Sequence, residues 1–157
     1  MELVNLTEHE QTGSWQALQI VPLEEIINCP DILTNGNASQ VNIVADPNTL
    51  DILPVPELFS ISVTKKRTSS GFQHSIKIQI DFRYQSTSVD DFLETLQHKK
   101  VVVIGVKLYG AEKMFGSKLH PLTFNYSFID GKRVEDGAKT RVSIIGKTPQ
   151  KPVFIKD

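Results

Sequence analysis

Strict alternation of apolar and polar residues runs through the middle of the chain and predicts a long β-hairpin. From Ile76 to Tyr84 every even position is apolar or aromatic and every odd position is polar, which is the period of a strand with one buried face. The segment Phe59–Val63 alternates in the same way. Between the two lies the polar connector Lys65–Gly71, which ends in a glycine. We therefore predict an antiparallel hairpin built from residues 57–66 and 72–84.

The next segment has a helical period instead. Its apolar residues recur at i, i+3, i+4 and i+7 and so form one stripe: Val89, Phe92, Leu93 and Leu96. Ser88 is a residue type that caps a helix N-terminus, and three basic residues, at 98–100, follow the stripe, where positive charge suits the helix dipole. We predict a helix over residues 88–99. It is too short to be stable alone, so its stripe should pack on the sheet.

Further strands are predicted on the C-terminal side of the helix. The apolar run at 101–109 is typical of a central strand. A loop at 110–121 then leads to an alternating strand at 122–128. Another strand is expected at 140–146, and a short one at 152–155, where the initial proline suits a sheet edge.

The N-terminal third has a less regular pattern. A strand is predicted at 14–22, followed at 23–27 by a short helix or a continuation of that strand. A turn at 35–37 precedes a strand at 40–45, and residues 46–56 are too rich in proline for regular structure. The sum is a mostly-β, antiparallel sandwich or barrel with one amphipathic helix. We predict one domain over 1–157, in which 1–56 is the less regular part and 57–155 is the core.

Composition narrows the classes of function. The chain has 157 residues, with 17 Lys+Arg against 18 Asp+Glu and a pI near 6.4, and this balance argues against nucleic acid as the main partner. The longest apolar run is four residues, so no membrane span is expected. The first residues lack a signal sequence, so secretion is not expected either.

No pattern of catalytic or metal-binding residues is visible. The segment Gly146–Thr148 resembles the end of a phosphate-binding loop, but Arg141 stands where the motif requires its first glycine, so a strand end running into a turn is favoured. Cys29 is the one cysteine, and no two histidines have the spacing of a metal site. His74 is assigned to the polar face of its strand. We predict no enzyme activity, no cofactor and no metal.

Two clusters of charge have structural explanations, and one of them also suggests a partner. The acidic cluster of Asp90, Asp91 and Glu94 lies at the predicted helix start, where negative charge is stabilising. Three basic residues lie at the predicted hairpin tip and are the candidate partner-binding residues: Lys65, Lys66 and Arg67. A solvated loop explains them, and so does contact with an acidic partner.

The order of elements from residue 57 onward is similar to that of a known group of phage proteins. A long hairpin, one amphipathic helix, an apolar strand and further antiparallel strands resemble the tail-tube and tail-completion proteins of phages and the related tube proteins of injection machines. The stretches 114–124 and 142–149 also resemble small structural proteins from phages and prophages of Bacteroides-type bacteria. The resemblance implies a ring-forming component that works by self-association and docking.

We therefore expect a non-enzymatic structural protein of a phage or phage-like particle. Its expected partners are copies of itself, as a homo-oligomer, and neighbouring structural proteins, with no membrane. Its expected location is the virion, or the cytoplasm if the phage interpretation fails. The alternative is a β-sandwich module that binds a small ligand or carbohydrate through exposed aromatic residues, for which the candidates are Trp15, Tyr109, Phe115 and Tyr126.

Overall fold

The structure, a computed structural model, describes residues 15–34, 36–43, 50–52, 59–82, 87–107, 110–129 and 139–156. Within these ranges the chain forms one α-helix, α1 (Thr87–Leu96), and two 3-10 turns (Leu23–Glu25 and Ala38–Gln40). The strands are β1 (Trp15–Pro22), β2 (Ile26–Asn28), β3 (Asn42–Ile43), β4 (Leu50–Ile52), β5 (Phe59–Thr68), β6 (Gly71–Phe82), β7 (Lys100–Lys107), β8 (Glu112–Phe115), β9 (Leu122–Ile129), β10 (Lys139–Thr148) and β11 (Val153–Lys156). The predicted mostly-β fold with one helix is confirmed. Closure into a sandwich or barrel stays a prediction.

Nine of these strands form one antiparallel sheet that branches at β7. The main path runs β11-β8-β7-β9-β10-β6-β5, while β1 pairs with the other edge of β7 and β4 pairs with β1. Two strands share the remaining edge of β7: β9 pairs with Lys100 and Val101, and β8 pairs with the segment 103–106. The small pair β2–β3 forms a second sheet.

One face of the large sheet encloses the main hydrophobic core. Its buried residues come from six strands and from the helix: Leu18, Ile20, Ile76, Ile78, Ile80, Leu93, Leu96, Val101, Val103, Phe115, Leu122, Phe124, Val142 and Ile144. Because side chains from neighbouring and distant strands meet in one cluster, the sheet wraps around its own core and α1 fills the concave side. The core also includes β1, which precedes residue 57.

Strand β7 is buried on both faces, and this explains its unbroken apolar run. Val101 and Val103 point into the main core, while Val102 and Ile104 join a second cluster on the opposite side of the sheet. Residues from the 3-10 turns, β2 and β11 complete that second cluster. The prediction of a central strand is confirmed, and the outer side of β7 is covered by the segment 21–43.

Helix α1 is shorter than predicted and is tied to β9 at its C-terminal end. It begins at Thr87 and ends at Leu96, whereas the pattern suggested residues 88–99; the side chains of Ser88 and Val89 lie outside the described part of the structure. The chain leaves the helix through His98, which has a φ of 61° in the left-handed region where helices commonly end. The His98 amide donates to the Phe124 carbonyl over 2.9 Å, so the exit continues the edge of β9.

Three predicted irregular segments contain regular structure. The loop predicted at 110–121 includes β8, whose Met114 and Phe115 are buried. The proline-rich segment 46–56 includes β4, which pairs with β1. The polar connector 65–71 is mostly strand, because β5 and β6 stay paired to a two-residue turn. In each case pairing to a neighbouring strand overrides the weak local pattern.

Candidate interaction surfaces

The base of the hairpin β5–β6 lies on the main core, and its tip extends beyond the core. Its register runs from Phe59 opposite Ile80 to Thr68 opposite Gly71, with Ser69 and Ser70 as the turn. Gly71 has a φ of +118°, a conformation that favours glycine at this turn. The predicted long hairpin is confirmed, with its strands ending closer to the tip than expected.

The hairpin becomes more exposed toward its tip, although Gln73 and His74 stay half-buried. Ile76, on the core-facing row of β6, is buried, but further along the row Phe72 is 52% exposed, and Val63 on β5 is 40% exposed. The core therefore covers the base of the hairpin and not its tip. Two apolar side chains, Val63 and Phe72, are exposed on this arm of the sheet, which β10 flanks as far as His74.

The predicted partner-binding residues lie on this arm. Lys65, Lys66 and Arg67 are all exposed, and the Lys65 ammonium lies 4.1 Å from the ring centroid of Phe72. Lys65 and Arg67 share the face of Phe72, whereas Lys66, opposite Gln73, lies on the other face. Strand β5 pairs only with β6 in the described part of the chain, so its second edge is a candidate for adding a strand from another chain.

The outer face of strands β5, β6, β10 and β9 is strongly basic. We call this surface the basic face; it consists of the side chains that point away from the main core. Its cationic residues, together with the adjoining first residue of β7, are Lys66, Lys77, Lys100, Lys139, Arg141 and Lys147, and Asp81 is its one carboxylate among the described residues. The chain as a whole has a formal net charge of −1. The fold therefore brings positive charges together on this face although the whole chain is nearly neutral.

Asp81 neutralises one end of the basic face. Its carboxylate accepts two hydrogen bonds from the Arg141 guanidinium, at 2.9 and 3.2 Å, and lies 3.6 Å from the Lys139 ammonium. The hydrogen bond from Arg141 lowers the pKa of Asp81 below its ordinary value of 3.8, and the nearby positive charges add to the effect, although burial opposes it. The other four cations of the face have no ion-pair partner among the described residues.

We expect Asp81→Asn to remove a pH-dependent part of the stability. Because the folded-state pKa of Asp81 is lowered, its stabilising contribution is fully present above the carboxyl's ordinary value of 3.8 and is lost as the pH falls through the lowered value. The difference in unfolding free energy between parent and variant should shrink as the pH is lowered from 6 toward 2, roughly the acid range in which carboxylates titrate. Chemical denaturation at a series of pH values measures it. Arg141→Gln should reproduce the effect, and a constant difference at all pH values would contradict this role for the pair.

A shallow cavity of about 420 Å³ opens on the basic face. It is lined by Ser75, Ile76, Lys77, Thr123, Ile145, Gly146 and Lys147. Lys147 stands opposite Ser75, and Lys77 is the next outward residue along β6, so the two ammonium groups lie on diagonal positions of one strand pair. At the rim, the Lys100 ammonium donates to the Thr123 hydroxyl over 2.8 Å.

A second group of lysines packs on aromatic rings near β8. The Lys107 ammonium lies 4.1 Å from the Trp15 ring centroid, and Lys113 lies 5.3 Å from that of Phe154. Burial lowers the pKa of both lysines, and for Lys113 the charges of Lys107 and Lys151 lower it further. Cation–π contact with the rings offsets part of that cost, which explains the cluster as packing.

The aromatic residues of the carbohydrate-binding alternative do not form a platform. Phe115 is 1% exposed, so its predicted exposure is wrong, and Tyr126 packs against the main core. Trp15 is half-buried and meets Phe115 edge to face at 5.8 Å. Tyr109 lies outside the described residues. Of the described candidates, the buried Phe115 offers a ligand no surface, and Trp15 and Tyr126 are half-buried.

Among the described residues, the histidines and the cysteine form no metal-binding group. His74 lies opposite Lys65 and Thr148. It is two residues before Ile76 and therefore lies on the same, core-facing row of β6. Its assignment to the polar face is wrong. Its Nδ1 is buried and has no hydrogen-bond partner in the described structure. Cys29 is half-buried, with its thiol 3.6 Å from the Pro30 carbonyl. Across the described ranges, no three His, Cys, Asp or Glu residues group as metal ligands.

The segment 146–148 is the end of β10, as the strand interpretation predicts. A β-carbon at Gly146 would lie 2.5 Å from Leu122 Cδ2 and 3.2 Å from its Cα, so this glycine serves close packing between β10 and β9. At the end of the strand, the Thr148 hydroxyl accepts a hydrogen bond from the backbone amide of Gln150 over 2.9 Å. Among the described helices none is long and apolar enough to cross a membrane.

Comparison with protein-family models, with curated proteins and with solved structures finds no match. The similarity in element order to phage tail proteins therefore stays a prediction.

Proposed function

We propose that this chain is a non-enzymatic structural protein that assembles with copies of itself through the hairpin β5–β6, as a component of a phage or phage-like particle. The observation that carries the proposal is the exposure of two apolar side chains of the hairpin, Phe72 at the tip and Val63 opposite Ile76. Placement in a phage-type particle is supported by the resemblance in element order alone.

The hairpin offers a partner both backbone and side-chain contacts. The edge of β5 that faces away from β6 presents unpaired backbone donors and acceptors in the described structure. Near the base of β5, Ser60 and Ser62 leave that edge free of charge, whereas the tip carries Lys65, Lys66 and Arg67. A strand from a second copy would satisfy the backbone at the base, and the tip charges would select an acidic surface.

A second copy supplies such an acidic surface. Asp91 and Glu94 are exposed on α1, and neither makes an ion pair with another described residue. A contact between the basic tip of one copy and the helix of the next is heterologous, because it joins two different surfaces. Repetition of a heterologous contact produces a ring or a filament, which is the kind of assembly that the resemblance implies.

Shortening the hairpin tests this proposal. Removal of residues 65–74, with Thr64 joined to Ser75 through a two-residue Asn-Gly turn, keeps the register of the remaining pairs, which end at Thr64 opposite Ser75. We expect the shortened protein to fold and its association constant to fall at least about tenfold, since Phe72 and the three tip cations are lost while Val63 remains. Sedimentation velocity across a concentration series measures the association, and circular dichroism checks the fold.

Reversal of the tip charges provides a second variant that leaves the backbone intact. Lys65→Glu, Lys66→Glu and Arg67→Glu together should weaken association as the deletion does, whereas Lys118→Glu, a lysine outside the hairpin, should leave it unchanged. Association of both hairpin variants at parental strength, or a parent that stays monomeric at all concentrations, would contradict the proposal.

A further inference from the structure

We propose that the basic face binds the sugar-phosphate backbone of duplex nucleic acid, without reading its sequence. The proposal goes beyond self-assembly and concerns the outer face of the sheet, which shares Lys66, Ser60 and Ser62 of β5 with the self-assembly proposal. It starts from the distribution of charge: the described outward side chains of β5, β6, β9 and β10 include five Lys and Arg and one Asp or Glu.

The whole-chain charge does not decide what this face attracts. At physiological salt, charges more than about 8 Å apart are largely screened from each other, so an approaching ligand responds to the local surface. Lys66, Lys77, Lys100 and Lys147 are exposed there, and none has a carboxylate within ion-pair distance in the described structure. A pI near 6.4 describes the whole chain. It combines charges that are too far apart to act together at physiological salt.

The dimensions of the face fit an extended polyanion rather than one small anion. The cations lie on four of the five adjacent strands from β5 to β7, since β9 has none, and the five strands span roughly 20 Å across the sheet. Along β10, Lys139 and Lys147 are separated by roughly 26 Å. The cavity between Lys77 and Lys147, of about 420 Å³, gives the centre of the face a concave site for a phosphate group.

The uncharged residues of the face favour phosphate over other anionic partners. They are largely hydroxyl and amide side chains, which donate to phosphate oxygens in nucleic-acid complexes: Ser60, Ser62, Thr64, Ser75, Gln79, Thr123, Asn125 and Ser143. Lysine and serine are depleted in protein–protein interfaces, which need buried apolar anchors, and Ile145, 46% exposed, is the only large apolar side chain at the cavity mouth.

The described side chains of this face include no aromatic residue. Proteins that bind single strands stack bases on aromatic rings, and interfacial membrane binding also uses apolar and aromatic insertion. A charged, hydroxyl-rich surface can still bind phosphates from outside a duplex. The geometry therefore points to double-stranded nucleic acid, bound by electrostatic contact and released by salt.

Binding of a fluorescent DNA duplex of about 24 base pairs, followed by anisotropy between about 50 and 200 mM NaCl, tests this inference. With four phosphate contacts we expect log K to fall against log[salt] with a slope of about −3.6. Lys77→Gln with Lys147→Gln should reduce the magnitude of the slope by about 1.8 and weaken binding at least about tenfold at low salt. The charge-matched control Lys118→Gln with Lys151→Gln, off the basic face, should bind as the parent does.

The inference is overturned if the duplex does not bind at low salt, or if the two double variants have the same affinity and slope. It is also overturned if vesicles containing phosphatidylserine, or polyglutamate, bind to the basic face while the duplex does not. Sedimentation of the single variant Lys77→Gln separates this result from self-assembly, because Lys77 lies away from the hairpin tip, whereas Lys147 lines a cavity with the tip residues Ser70 and Phe72. Loss of DNA binding with intact association would leave the proposed function standing.

Discussion

Leu93→Ala is expected to lower the free energy of unfolding by about 2–5 kcal/mol. Leu93 is fully buried in the main core, on the stripe by which α1 packs into the concave side of the sheet. Truncation removes apolar contacts and leaves a cavity that the surrounding strands fill only partly. A helix of ten residues has little stability of its own, so this contact anchors the whole element.

Urea denaturation followed by circular dichroism measures the loss. Glu94→Ala is the matched control, because Glu94 is the next residue on the same helix and is exposed. Its substitution should change the unfolding free energy by less than about 0.5 kcal/mol, as is usual for surface positions. A loss below that same limit at both Leu93 and Leu96 would show that the apolar stripe does not support the core.

Gly105→Ala is expected to cost about 1–3 kcal/mol through overpacking. A β-carbon at this position would lie 2.5 and 2.7 Å from Cζ3 and Cε3 of Trp15, well inside van der Waals contact. The ring cannot shift freely, because Lys107 lies 4.1 Å from its centroid and Phe115 meets it edge to face. The added methyl group must therefore displace the ring or separate β1 from β7.

Trp15 is the only tryptophan of the chain, so its fluorescence reports this displacement directly. We expect a red shift of the emission in Gly105→Ala, together with a lower midpoint of urea unfolding. In a Trp15→Ala background the space is free, and Gly105→Ala should cost little, so the two substitutions should be strongly non-additive. Additive effects and unchanged fluorescence would mean that the ring does not lie on Gly105.

The elements with a strong period were predictable, because burial of one face imposes that period on the sequence. Ile76, Ile78 and Ile80 alternate with polar residues, and the structure places all three in the main core. Likewise, Leu93 and Leu96 have the spacing of a helical stripe, and both are buried. In these segments local pattern and tertiary packing agree.

The elements that were missed depend on distant partners. Strand β8 has four residues; one of its edges pairs with the neighbouring β7 at Gly105, and the other pairs with the distant β11 at Val153. A signal was present in the adjacent apolar pair Met114–Phe115, but two residues cannot establish a strand period. Strand β4 is three residues long and flanked by prolines, so only its pairing with β1 defines it.

The basic face was hidden for a similar reason. Lys77 and Lys147 are 70 positions apart in the numbering, and only the β6–β10 register places them on one strand pair. The candidate residues Lys65, Lys66 and Arg67 were visible because they are consecutive. Charge that clusters along the chain can be found from sequence, whereas charge that clusters across a sheet requires the topology.

Amide hydrogen exchange of β5, measured on dilute and on concentrated protein, tests self-assembly through the hairpin most directly. If a second copy adds to this edge, amides of β5 that face away from β6 become hydrogen-bonded and should exchange more slowly as the concentration rises. Strand β11, which pairs only with β8 in the described structure, serves as the reference edge and should not change. Protection in β5 that is independent of concentration, or that rises equally in β11, would contradict the proposed role of the hairpin.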